Sequence, residues 1–141
     1  MSTTPIVKEI LVNASPEKVW KAITDKEEMK VWYFDLLEFK PEVGFRFEFW
    51  GETPDCKYLH LCEIKEVIPL QKIRYSWRYD GYLGDSMVTF EITPQGNQTL
   101  LRLIHEGLHT FPSDNPDFKK GNFDGGWESI IKESFRNFVE H

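Results

Sequence analysis

The sequence is poor in the features that most often announce a chemistry. Only 2 of its 141 residues are cysteine, Cys56 and Cys62, and their separation fits no zinc-binding spacing. They read as two reduced thiols, and no metal is expected. No cluster of Lys or Arg interrupts a chain whose formal net charge is −6, which argues against nucleic acid or an anionic membrane as partner. No apolar run approaches the roughly 18 residues that would cross a bilayer. The opening MSTTPIVKEI lacks the basic start and apolar stretch of a secretory signal, so a soluble, cytoplasmic protein is expected. The serines Ser76, Ser86, Ser129 and Ser134 have no elbow glycines or His close by in sequence, and no glycine loop is built to cradle phosphate. No catalytic residue and no cofactor is therefore assigned.

What the chain does have is rings. Phe, Trp and Tyr number 11, 5 and 5 and make up 15% of the residues. That supply can pack a generous core or line a pocket, and composition does not separate the two. The length predicts a single domain over residues 1–141. A chain of this size buries about 68–70% of its unfolded surface and needs neither metal nor disulfide to fold.

The strongest pattern is the last stretch, Asn122 to Glu140. Trp127, Ile130, Ile131, Ser134, Phe135 and Phe138 recur at steps of three and four, which stacks them on one face of a helix. Such a helix would span roughly 28 Å and needs a broad apolar surface to lie on. Earlier, Ile6 to Asn13 is β-branched and reads as a strand. Ser15-Pro16-Glu17 then opens a helix with a cap oxygen, a proline at the first position and an acid at the positive end of the dipole. Val19, Trp20 and Ile23 form its apolar stripe. Asp25-Lys26-Glu27-Glu28 starts a second short helix carrying Met29 and Trp32.

From Leu36 the period changes to two. Strands are expected at Leu36–Phe39, Phe45–Phe49, Tyr58–Ile68, Lys72–Tyr79, Met87–Thr93 and Gln98–Leu108, separated by turns. Connections this short exclude the crossovers that parallel pairing requires, so the sheet is antiparallel. Residues His109 to Gly121 are expected to form a polar loop. The order is strand, two helices, six strands, helix: an α+β chain with seven strands.

Four strings resemble the helix-grip, or START-like, superfamily. Within it they look most like the homologues of the activator of the ninety-kilodalton heat-shock chaperone's ATPase. They are the passage from Val12 to Asp25, VNASPEKVWKAITD; the turn and strand Pro41-Glu42-Val43-Gly44-Phe45-Arg46-Phe47; the strand Thr99 to Leu108, TLLRLIHEGL; and the pair Gly126-Trp127. The chain departs from the pattern in lacking a second glycine after the Pro-x-x-Gly region, and in having Cys62 where glycine is common. The resemblance implies a seven-stranded curved sheet wrapped around the C-terminal helix, with a cavity between them. It also implies a chaperone as candidate partner. It fixes no single chemistry, because one scaffold hosts binders, cyclases and cochaperones.

The expected cavity wall is Trp32, Phe45, Phe47, Phe49, His60, Tyr75, Trp77, Phe90, Leu101, Leu103, His105, Trp127, Ile131 and Phe135. A packed core would use the same residues. The function expected is non-enzymatic binding of a small hydrophobic ligand, lipid-like or aromatic. The alternatives are a chaperone-associated module, or an enzyme of cyclase or hydrolase type using His105. His105 itself reads either as an acid/base at the cavity mouth or as a structural histidine. His60 shares a strand face with Cys62 and Ile64 and could approach it. The apolar residues Tyr82, Leu83, Leu59 and Leu61 are candidates for a gate to the pocket or for the contacts of a homodimer.

Overall fold

A computed structural model describes residues 4–36, 38–53 and 56–140. Strand β1 (Ile6–Val12) is followed by helices α1 (Pro16–Thr24) and α2 (Lys26–Trp32). Five more strands succeed one another: β2 (Arg46–Thr53), β3 (Cys56–Ile68), β4 (Lys72–Tyr79), β5 (Ser86–Gln95) and β6 (Gln98–Glu106). The sheet is antiparallel with spatial order β1-β6-β5-β4-β3-β2. The caps act where the residue types put them. Ser15 Oγ accepts from the Lys18 amide at 3.2 Å and Asp25 Oδ2 from the Glu28 amide at 3.2 Å.

Six strands are present among the described residues, not seven. The segment expected as a strand at Leu36–Phe39 pairs with nothing: described residues 36 and 38–40 lie outside any ladder, and Leu37 falls outside the described residues. Leu36 is buried and Phe39 half-buried, with the Phe39 ring 5.1 Å from Phe47 and 6.5 Å from Phe45, centroid to centroid. Alternating apolar residues signal a half-buried strip, and a strip lying over a sheet edge gives the same pattern as a strand within it.

The loop from His109 to Gly121 is less polar than expected. It contains two short 3-10 turns, Leu108–Thr110 and Pro116–Phe118, and buries Phe111 and Phe118. The last helix begins earlier than expected, as α3 (Lys120–Ser129), and is not regular. It passes through a π-helical turn at Ile130–Phe135 and ends as α4 (Arg136–Val139). The irregularity follows from the spacing. Trp127, Ile131, Phe135 and Val139 sit four apart, and each such step drifts about 40° round a regular α-helix. The wider turn winds the stripe back, and all four are buried.

The helix meets the sheet through Trp127, whose ring lies 5.5 Å from Trp77 on β4 and 6.2 Å from Phe90 on β5. Towards β2, no ring of the helix meets a ring of the wall among the described residues. The residues leaving α2 wedge between the two: Tyr33 stacks on Trp127 at 6.1 Å and reaches Phe49 at 6.1 Å, and Phe34 stacks on Phe49 at 4.3 Å. Trp32 packs edge-on against Phe135 at 4.8 Å and anchors its indole Nε1–H on the Ala22 carbonyl at 2.8 Å. Much of the gap between sheet and helix is thereby filled by the chain itself. No helix among the described residues is long and apolar enough to cross a membrane.

Candidate functional site

The space left open lies at the end of the interior formed by β3, β4 and the start of α3. It is a cavity of about 230 Å³ lined by Phe34, Gly51, Tyr58, His60, Trp77, Tyr79, Asp117, Phe118, Asn122, Phe123, Gly126, Trp127 and Ile130. Asn122 and Gly126 are exposed and mark its solvent side. Two hollows elsewhere are larger, about 380 and 480 Å³. One sits among Arg46, Glu48, Glu63 and Arg78, and the other beside the Leu70 and Pro94 turns. The first is walled largely by charged side chains and the second by turn residues, and the smaller cavity is the better candidate because its walls are mostly rings.

Of the fourteen residues expected to line a cavity, His60, Trp77 and Trp127 do so. Trp32, Phe47, Phe49, Tyr75, Phe90, Leu101, Leu103, Ile131 and Phe135 are buried in the core around it, and Phe45 is half-buried near the β2 edge. The polar tips of Tyr75 and Trp77 are engaged within the protein. The Tyr75 and Tyr33 hydroxyls bond to one another at 2.5 Å, and the Trp77 indole donates to the Tyr79 hydroxyl at 2.9 Å.

His105 is fully buried, behind the cavity wall. The Trp127 indole Nε1–H donates to its Nδ1 at 2.9 Å. An indole can only donate, so Nδ1 is unprotonated and the neutral ring carries its proton on Nε2. Nε2 in turn lies 2.8 Å from Ser86 Oγ, and Ser86 donates its own proton to the Trp77 carbonyl at 2.7 Å. A serine beside a histidine invites a catalytic reading, but every proton here runs the wrong way. The hydroxyl proton is committed to a carbonyl, and the nitrogen facing the serine is a donor, not a base. Burial pushes His105 down to about 3, with a smaller push from His60. It stays neutral and ties α3 to β4, β5 and β6. Its partners, Ser86 and Trp127, are both side chains.

His60 and His105 do not meet, for the Trp77 ring lies between them, 4.8 Å from one and 5.3 Å from the other. His60 stacks on Phe49 at 4.5 Å, and its Nδ1 lies 3.1 Å from the Tyr58 carbonyl. A carbonyl only accepts, so Nδ1 carries the proton and Nε2 is a free acceptor in the neutral ring. Burial lowers the imidazole to about 4 against the opposing pull of the Tyr58 and Phe49 carbonyls. Gly51 makes this ring position possible: a Cβ there would stand 2.6 Å from His60 Cε1. At the rim, the Tyr58 hydroxyl donates to Asp117 Oδ2 at 2.6 Å. Among the described residues no group of three His, Cys, Asp or Glu side chains is placed to hold a metal ion.

Sequence reasoning missed most of this lining. Tyr58 and Tyr79 share strand faces with His60 and Trp77, so the period of two could have found them. Phe34, Phe118 and Phe123 sit beyond a helix end, in a loop and in a glycine-rich first turn, where no period applies.

A bent antiparallel sheet laid against one interrupted C-terminal helix, with a ring-lined hollow between them, defines a helix-grip protein of the START-like superfamily. Residues 13–140 match the family described as Activator of Hsp90 ATPase homolog 1-like protein, and the chain belongs to it. Protein CV1439 from Chromobacterium violaceum is similar, with 26% identity, a TM-score of 0.80 and 97% of each chain covered. Protein BH1534 from Bacillus halodurans is similar too, with 26% identity, a TM-score of 0.76 and 97% of each chain covered. The Aha1 dimer from Colwellia psychrerythraea shares the fold at 19% identity and a TM-score of 0.71, with 97% of this chain and 96% of that one covered. No curated protein matches the sequence.

Proposed function

We propose that this protein is a non-enzymatic binder of a small, ring-bearing apolar molecule, held between β3, β4 and the first turns of α3. The observation that carries the reading is the cavity itself: about 230 Å³ with Phe34, Trp77, Phe118, Phe123 and Trp127 in its walls. Ligand sites for drug-sized molecules start near ~300 Å³, so the occupant is smaller than those. A dry cavity of about 150 Å³ takes one benzene. By proportion this one takes about nine or ten non-hydrogen atoms, which suits one substituted ring and not a long acyl chain. The Trp32-Tyr33-Phe34 wedge supports the same choice, because it occupies the room a chain would need.

A thermal-shift screen of one- and two-ring compounds against long-chain fatty acids tests the reading. At ten times Kd a ligand stabilises by about 1.4 kcal/mol, roughly 4 °C for a domain of this size. Ring compounds are expected to produce such shifts and fatty acids none. A screen with no shift, together with native mass spectra free of co-purifying ligand, would end the proposal.

A further inference from the structure

Two polar side chains, each with a hydrogen-bonding valence left open, stand side by side in the cavity wall. The Tyr79 side chain is 5% exposed, and its oxygen already accepts from the Trp77 indole. That contact fixes the phenol and leaves its own proton without an acceptor among the described residues. His60 offers the opposite valence: with its proton on Nδ1, directed at the Tyr58 carbonyl, Nε2 is a lone pair that meets no donor among the described residues. The two rings lie 4.6 Å apart, centroid to centroid, and both line the cavity. The site thus presents one donor and one acceptor on neighbouring side chains. The smallest group that answers both at once is a hydroxyl, which accepts from one and donates to the other.

Charge narrows the choice further. Among the described residues no Lys or Arg lines the cavity, and Asp117 stands at its rim. A carboxylate inside would be buried without a counter-ion and would face the His60 lone pair. Building on the cavity as a ligand site, we infer that its occupant is a neutral hydroxylated aromatic, a single-ring phenol, with its hydroxyl held between Tyr79 and His60. These two residues are the specificity determinants, and the surrounding rings supply the affinity.

The test is a shape-matched series titrated into the intact protein: 4-ethylphenol, 4-ethyltoluene, 4-ethylanisole and 4-ethylbenzoate. Binding is followed by the indole N–H resonances of Trp77 and Trp127, both in the cavity wall. A site whose buried polar groups are left unpaired by the wrong ligand discriminates strongly. We expect 4-ethylphenol to bind at least about tenfold tighter than 4-ethyltoluene. The anisole, an acceptor only, should fall between them, and the benzoate should not bind. In Tyr79→Phe the advantage of the phenol should shrink to below about threefold, with 4-ethyltoluene unaffected. If 4-ethyltoluene matches the phenol in the unmodified protein, this inference is overturned while the binding function stands. If none of the four binds, both fall. The comparison in the unmodified protein decides the matter even where Tyr79→Phe does not fold.

Discussion

Acid should unfold this protein through its buried imidazoles, and His105 makes the effect measurable one residue at a time. In the folded chain burial holds His105 down at about 3 and His60 at about 4, while an unfolded histidine titrates near ~6.5. The folded-state values are depressed, so the unfolded chain takes up the protons first. Stability is then fully present above about pH 7 and is lost as pH falls towards 4 and 3. At pH 5 the unfolded form gains about 2 kcal/mol for each histidine. The two together remove about 4 kcal/mol, a large share of the ~5–15 kcal/mol that holds a typical domain. His105→Gln isolates one of them: an amide can accept from the Trp127 indole through its oxygen and donate to Ser86 through its nitrogen, but it does not titrate. Urea unfolding at pH 7 and pH 5 should show the wild type losing about 2 kcal/mol more than the variant between those values. Carboxylates contribute equally to both proteins and cancel. A variant that loses as much stability as wild type would refute the placement of a neutral, proton-excluding His105 behind Trp127.

Two further substitutions probe the site's supports. Gly51→Ala puts a methyl 2.6 Å from His60 Cε1, which must push the imidazole off Phe49. A loss of about 1–3 kcal/mol is expected in thermal or urea unfolding, largely relieved in the Gly51→Ala, His60→Ala double variant. Thr99→Val removes the buried hydroxyl that donates to the Ala14 carbonyl at 2.7 Å and secures the entry to α1. It should cost about 1–3 kcal/mol by the same assay, because the carbonyl is left unpaired.

The sequence by itself determined the periodic parts. The β-branched and alternating stretches announced β1 to β6, the Ser15 and Asp25 caps announced α1 and α2, and the apolar residues recurring from Trp127 to Phe138 announced the last helix. These are local patterns, set by backbone geometry and the burial of one face, and they survive without knowledge of neighbours. The location of the cavity was not legible, nor was the idle catalytic look of Ser86 and His105. Both depend on which side chains meet across the interior. Tyr33 and Phe34 fill the gap before β2 because α2 ends where it does. His105 is kept neutral because the tertiary fold buries it, and Trp127, 22 residues on, fixes its tautomer by donating to it. Leu36–Phe39 shows the same division in small. Its alternation was correctly apolar, but whether a buried strip pairs or merely packs is decided by the partner edge, which only the tertiary structure supplies.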